Sequence, residues 1–97
     1  MNLFKKAALL TAISALFASS PLFANETYVC TNGGQERQIH ILYTNEGSSV
    51  PCEVTYEKSI GTTSLWRAEN QAGYCEDMAM AFVEKQRGWG WECNKQM

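Results

Sequence analysis

Four cysteines and a single histidine are the residues of this chain best suited to chemistry. Cys30, Cys52, Cys75 and Cys93 are an even number of thiols, which is typical of a disulfide framework in a small exported chain. Zinc binding is the competing interpretation, but the intervals between the cysteines are long, there is no Cys-x-x-Cys pair, and His40 is the only imidazole. We therefore predict two disulfides, no metal site and no cofactor.

An active site would have to be built from very few groups. A cysteine nucleophile needs a free thiolate, which two disulfides would remove. A serine triad would need His40 together with Asp77, the only aspartate, and we assign Asp77 to the first turn of a helix. Glu53 and Glu57 lie about 13 Å apart along one strand, too far for a glycosidase pair. We predict that the protein is not an enzyme.

The first 24 residues have the organisation of a signal peptide. Lysines at 5–6 precede an apolar run over 7–17, and Ala24 offers a cleavage site, with Ala18 and Ser20 as alternatives. The apolar run is too short to span a bilayer and no second run follows. We expect residues 1–24 to be removed and 25–97 to form a single exported domain, periplasmic or secreted and not held in a membrane.

The charge of the exported part restricts its partners. Removing residues 1–24 takes away two lysines and leaves six basic and ten acidic residues, a formal net charge of −4. Because the cations are scattered singly along an acidic chain, nucleic acid is a poor partner. A protein partner drawn by electrostatic steering would be basic.

Hydrophobic alternation predicts four strands before the last quarter of the chain. Asn32-Gly33-Gly34 and Ser59 to Gly61 have the residue types of tight turns. The strands are predicted over Thr27 to Thr31, Glu36 to Tyr43, Cys52 to Glu57 and Thr63 to Ala68, with Ile39, Ile41 and Tyr43 sharing a face, as do Cys52, Val54 and Tyr56.

A helix is predicted to follow, because apolar residues recur at helical spacing. Cys75, Met78, Ala79 and Phe82 form one stripe, and Gly88 is predicted to supply the left-handed residue that stops the helix. A last strand is predicted over Trp89, Trp91 and Cys93, whose side chains alternate with Gly90 and Glu92. The fold class is therefore α+β, a small disulfide-stapled antiparallel sheet in the order β-β-β-β-α-β with one helix on one face.

The strand layout discriminates among the three cysteine connectivities. In a meander, Cys30 and Cys52 lie at opposite ends of the sheet and two strands apart, about 9.6 Å, beyond the roughly 7 Å between Cα atoms that a disulfide tolerates. The fourth strand returns to the end where Cys52 lies, close to the start of the helix. We predict Cys52 with Cys75, and by elimination Cys30 with Cys93.

Three tryptophans are many for an exported part of this size. We expect Trp89 and Trp91 to fill the core, since a small domain needs their burial. Trp66 fits the core and an interface equally, because an aromatic residue beside Arg67 is typical of interface anchors.

The segment Tyr28-Val29-Cys30-Thr31-Asn32-Gly33 resembles the Tyr-x-Cys-x-x-Gly start of periplasmic inhibitors of c-type lysozyme, which are small stapled β-proteins. Lys58-Ser59-Ile60-Gly61 is similar to the loop that carries the inhibitory serine of that family. The helix after Gly73 and the positions of Cys52 and Cys75 depart from its pattern, so the chain is not assigned to it.

These observations favour a protein that acts by binding. An inhibitor of a basic secreted enzyme or toxin, similar to a lysozyme inhibitor, is the first hypothesis, and an accessory envelope protein without catalytic activity is the alternative. The predicted interface residues are Trp66, Arg67, Lys58 and Ser59.

Overall fold

The computed structural model describes residues 25–96, so the predicted signal peptide over 1–24 lies outside the described residues. The elements are β1 (Glu26–Asn32), β2 (Gln35–Tyr43), β3 (Cys52–Lys58), β4 (Gly61–Ala68), α1 (Tyr74–Gly88) and β5 (Glu92–Gln96). The predicted α+β class and the order β-β-β-β-α-β are confirmed.

All strand pairs are antiparallel, and the sheet has the order β4-β3-β2-β1-β5. The first four strands form the expected meander. The helix then crosses one face of the sheet and brings β5 beside β1, at the edge opposite to β4. One face is therefore covered by α1 and the other is left open.

The turns of two tight hairpins lie at the same end of the sheet. Asn32 pairs with Gln35 in the first, which leaves Gly33 and Gly34 as its turn, with φ of 60° and 119°. Two positive φ values suit a two-residue hairpin turn, and glycine adopts them without steric cost. In the second, Lys58 pairs with Gly61. Both predicted turns are confirmed.

The fourth strand contains an irregularity that the sequence did not signal. Val54 pairs with Trp66 and Thr55 with Ser64, so Leu65 has no opposite partner. Such a β-bulge adds one residue to an edge strand and resets which side chains face the core. Trp66 therefore stays on the side of the sheet that the helix covers.

The buried stripe of α1 differs from the predicted one. Cys75 and Ala79 are buried as expected, but the stripe continues through Val83 and Gln86, whereas the predicted Met78 and Phe82 are only half-buried. The helix is rotated because its position is set by packing on a twisted sheet and by the tie of Cys75 to β3. Gln86 is accommodated because its Nε2 donates to Tyr56 Oη at 2.8 Å.

The helix also extends further than predicted, because the left-handed residue that follows it comes two residues later. Gly88 is its last residue and has no positive φ, while Gly90 has φ of 99°. The Trp91 amide donates to the Gln86 carbonyl and the Gly90 amide to the Arg87 carbonyl, the bonding pattern of a Schellman motif with glycine at the left-handed position. The prediction that Gly88 supplies the left-handed stop is therefore wrong.

This later ending separates the two tryptophans. The last strand begins at Glu92 and not at Trp89. Trp91 is buried, as predicted, but Trp89 is 58% exposed and the prediction that it fills the core is wrong. Trp66 is half-buried beside the core.

The core lies between α1 and the covered face of the sheet. Its fully buried apolar centre is formed by Ile39, Ile41, Val54, Ala79 and Val83. The predicted disulfides are both present. Cys30 and Cys93 lie directly opposite each other on β1 and β5 with Cα atoms 4.0 Å apart, and Cys52 ties β3 to Cys75 at the start of α1 over 6.3 Å.

Candidate binding surface

We call the sheet surface that α1 leaves uncovered the open face. Strand side chains alternate between the two faces, and the pairing register carries this alternation across the sheet. The open face consists of Thr27, Val29, Thr31, Glu36, Gln38, His40, Leu42, Glu53, Thr55, Glu57, Thr62, Ser64, Arg67, Glu92, Asn94 and Gln96. It is broad and mostly polar.

His40 lies at the centre of this face and joins three strands. Its Nδ1 is 2.9 Å from Thr27 Oγ1 on β1, and its Nε2 is 2.9 Å from Glu57 Oε1 on β3. A carboxylate only accepts hydrogen bonds, so the Nε2 proton of a neutral ring is donated to Glu57. The unprotonated Nδ1 then accepts the hydroxyl proton of Thr27.

A hydroxyl, an imidazole and a carboxylate in this order resemble the arrangement of a nucleophilic triad. Sequence reasoning missed it, because it considered His40 only with Asp77, which lies on α1. Catalysis would also need donors for a developing oxyanion, yet from Thr27 to Thr31 β1 is paired on both sides, so ladder bonds occupy its amides. The amides of β1 beside Thr27 are therefore not free to act as oxyanion donors.

The open face is strongly acidic. It carries four carboxylates, those of Glu36, Glu53, Glu57 and Glu92, and a single guanidinium, that of Arg67. Arg67 lies opposite Glu53 on the neighbouring strand. Its ion pair is with Glu69 instead, with 3.8 Å between Nη2 and Oε2. The formal charge of the open face is therefore −3 with His40 neutral.

The helix side, which we define as α1 and the strand side chains on the covered face, has the opposite balance. Its cations are Arg37, Lys58, Lys85, Arg87 and Lys95, and its carboxylates are those of Glu26, Glu76, Asp77 and Glu84. Five of the six cations of residues 25–96 thus lie on this side, which has a formal charge of +1. The negative charge of the domain is concentrated on the open face and in the loops.

The four predicted interface residues all lie on or beside the β3–β4 hairpin but not in one patch. Trp66 is on the helix side, with its ring centroid 5.9 Å from that of Phe82. Arg67 is on the open face and 65% exposed. Lys58 is on the helix side, and Ser59 is exposed in the turn. Their role in an interface stays a prediction.

Lys58 and Ser59 help to line a groove between the two hairpin tips. This hairpin-tip groove has a volume of about 580 Å³ and is bounded by Gly34, Gln35, Glu36, Arg37, Lys58, Ser59 and Ile60. Arg37 was missed by sequence reasoning. Its position near Lys58 follows from the last pair of β2 with β3, Gln38 with Glu57, which periodicity within one strand does not reveal.

A second cluster lies at the other end of the sheet, where α1 begins. Tyr43 Oη donates to Glu76 Oε2 and lies 3.5 Å from Glu26 Oε2. Burial, reinforced by the hydrogen bond to Glu76 and the nearby negative charges, raises the pKa of Tyr43 well above its ordinary value. Lys95 balances Glu26 across 3.3 Å. These contacts tie β2 to the first turn of the helix and join β1 to both β2 and β5.

All four cysteines are used in disulfides. Residues 25–96 contain no group of three or more histidine, cysteine, aspartate or glutamate side chains arranged to hold a metal ion. In the same part of the chain, no helix is long and apolar enough to cross a membrane.

Comparison with known proteins gives no relative: no family model, no curated protein and no solved structure matches the chain. The similarity of residues 28–33 to lysozyme inhibitors is therefore not extended by any wider match.

Proposed function

We propose that this protein is an exported binding protein that docks a cationic protein on the open face. The observation that carries the proposal is the separation of charge, with four carboxylates and one guanidinium on a solvent-facing sheet and five of six cations on the other side. Such a distribution attracts and orients a basic partner before contact.

The surface is suited to a protein partner because it is wide and flat. Five strands spaced about 4.8 Å span about 19 Å, and seven residues of strand about 23 Å, an area on the order of 440 Å². A standard interface buries about 800 Å² on each partner. The open face alone therefore supports a small, transient and salt-sensitive complex.

The carboxylate at the centre of this surface is held in place before binding. Glu57 is fixed by His40, which is itself fixed by Thr27, and the backbone beneath them is a central part of the sheet. Less side-chain entropy is lost on binding when charged groups are already oriented. A basic secreted enzyme or toxin that this protein inhibits is the partner we favour.

The direct test measures binding to a c-type lysozyme, used as a basic enzyme probe, by isothermal titration at low and physiological ionic strength. The variant Glu53→Gln with Glu57→Gln removes two open-face charges and keeps hydrogen-bonding side chains. We expect about tenfold weaker binding from this variant, at roughly 0.5–1 kcal/mol for each exposed charge, and weaker binding as salt screens the field.

The matched control, Asp77→Asn with Glu84→Gln, changes the net charge by the same amount on the helix side. We expect it to leave binding nearly unchanged. Equal losses in the two variants would mean that net charge alone causes the association, and no binding at low salt would remove c-type lysozymes from the partner class.

Capture from periplasm and from host secretions separates the two functional hypotheses. An inhibitor should retain a secreted or foreign enzyme and reduce its activity, and an accessory protein should retain a resident envelope component. A captured protein supports docking on the open face only if it is lost with the Glu53→Gln, Glu57→Gln variant.

Intact mass of the exported form tests removal of residues 1–24.

A further inference from the structure

The hairpin-tip groove exists because the sheet splits at one end. Pairing between β2 and β3 stops at Gln38 with Glu57, although β1 and β2 continue to Asn32 with Gln35, and β3 and β4 to Lys58 with Gly61. Beyond the split, the edge of β2 that faces β3 has no strand partner.

Two cations without a carboxylate partner lie at this split. Among residues 25–96, no carboxylate oxygen is within 4.0 Å of a charged nitrogen of Arg37 or Lys58. Both lie near the ring of Tyr56, with the Arg37 guanidinium carbon 5.8 Å and Lys58 Nζ 5.6 Å from its centroid. Because both residues line the hairpin-tip groove, an anion bound there would be attracted by two positive charges.

The Arg37 guanidinium is held rigidly in position. It stacks over the buried ring of Trp91, 4.3 Å from the centroid, and its Nη1 donates to Tyr56 Oη at 2.8 Å. Tyr56 Oη also receives a hydrogen bond from the fully buried Gln86. The remaining guanidinium donors are available to an oxyanion, whose planar geometry a guanidinium matches well.

The other walls of the groove restrict the ligand. Glu36 also lines the groove, but its carboxylate accepts a hydrogen bond from Gln38 at 2.9 Å on the open face. Ser59 contributes an exposed hydroxyl in the turn. Ile60 also lines the groove and is 87% exposed, so it offers contact to an apolar group.

We propose that the hairpin-tip groove binds a small organic anion, with its carboxylate or phosphate group held by Arg37, Lys58 and Ser59 and its apolar part against Ile60. This site lies on the helix side of the hairpin tips and is independent of the proposed docking of a cationic protein on the open face.

The test is an amide NMR titration of the disulfide-bonded domain with isovalerate, acetate and inorganic phosphate, with sodium chloride at matched ionic strength as the reference. We expect chemical-shift changes confined to residues 34–37 and 58–60, with isovalerate binding more tightly than acetate. Changes spread evenly over all cationic side chains, or equal to those caused by chloride, would overturn the proposal.

Three variants locate the site. Arg37→Gln is expected to weaken isovalerate binding about tenfold, because a charge-assisted hydrogen bond is lost, and Lys58→Gln about threefold. Lys85→Gln removes an exposed helix cation and is expected to change nothing. If Arg37→Gln does not fold, Lys58→Gln decides, and an unchanged dissociation constant in that variant overturns the site.

Ile60→Ser tests the apolar part of the site and should abolish the preference for isovalerate over acetate. A capped peptide amide with one glutamate side chain distinguishes a free anion from a protein carboxylate. Binding of this peptide without binding of any small anion would overturn a small-molecule site.

Discussion

Trp89 and Trp91 are two residues apart and have opposite surroundings. Trp91 is 9% exposed and lies beneath the Arg37 guanidinium. Trp89 is 58% exposed and makes an edge-to-face contact with Phe82, with ring centroids 6.4 Å apart. The first is a core residue that also positions a cation, and the second is a surface aromatic.

We expect Trp91→Ala to lower the free energy of unfolding by about 3–5 kcal/mol, because a large buried ring is removed and a cavity remains. Trp89→Ala should lower it by less than about 1 kcal/mol. Urea unfolding followed by circular dichroism measures both. Similar losses in the two variants would contradict the assignment of Trp89 to the surface.

Tyr43 carries a pH dependence of its own. Its pKa is raised, first by burial and then by the hydrogen bond to Glu76. The neutral phenol is thus favoured in the folded state, and its contribution to stability is complete below the unfolded pKa of about 10. That contribution is lost as pH rises above this value, because the unfolded chain can then release the proton.

The free energy of unfolding of the protein should therefore fall relative to that of Tyr43→Phe as pH rises from neutral to above about 10. Denaturant unfolding of both proteins at a series of pH values measures it. A difference that does not change with pH would mean that Tyr43 titrates alike in the folded and unfolded states.

At the scale of elements, the end of α1 decides where the last strand starts. Gly90, and not Gly88, takes the left-handed backbone conformation, with φ of 99°. The two additional residues place Trp91 over the core and align Cys93 with Cys30. The helix end thus fixes the register of β5 on β1.

The two glycines offer a matched pair of substitutions. Gly90→Ala should destabilise the protein by about 1–2 kcal/mol, the cost of a left-handed conformation for a residue with a Cβ. Steric contact is not the reason, because that Cβ would meet only Asn32 Nδ2, at 3.9 Å. Gly88→Ala should stabilise it by about 0.5–1 kcal/mol, because alanine favours the helix.

Thermal unfolding of both variants and of the unmodified protein measures these changes in stability. If Gly88→Ala were the more damaging of the two, the left-handed stop would lie at Gly88, as predicted from the sequence.

At the scale of the whole molecule, the two disulfides close loops that include most of the described chain. The cysteines are 63 residues apart in Cys30–Cys93 and 23 apart in Cys52–Cys75. In the chain-entropy model these loops contribute about 4.3 and 3.5 kcal/mol. A domain of this size has a total stability on the order of 5 kcal/mol.

We therefore expect reduction to unfold the protein near room temperature. Replacing Cys30 and Cys93 with alanine should cost more than replacing Cys52 and Cys75, since the closed loop is longer. Melting curves with and without reductant, and of the two double variants, measure this. A curve that reductant does not shift would show that the thin core suffices without the disulfides.

The sequence by itself determined the elements that depend on neighbouring residues. Period-two alternation located the first four strands, turn-forming residues located the two hairpin turns, and helical spacing located α1. Even the cysteine pairing followed, because a meander places Cys30 and Cys52 too far apart and brings Cys52 near Cys75. These features rest on local geometry and on distances that strand spacing dictates.

Only the tertiary structure decided the features that depend on register and on rotation. Thr27, His40 and Glu57 meet because three strands align at those residues, and a shift by one residue would turn their side chains to the other face. The rotation of α1 buried Val83 and Gln86 in place of Met78. Apolar residues occur on more than one face of this helix, so packing on the sheet decides which face is buried. The separation of charge between the two faces arises in the same way, from pairings between residues distant in the chain.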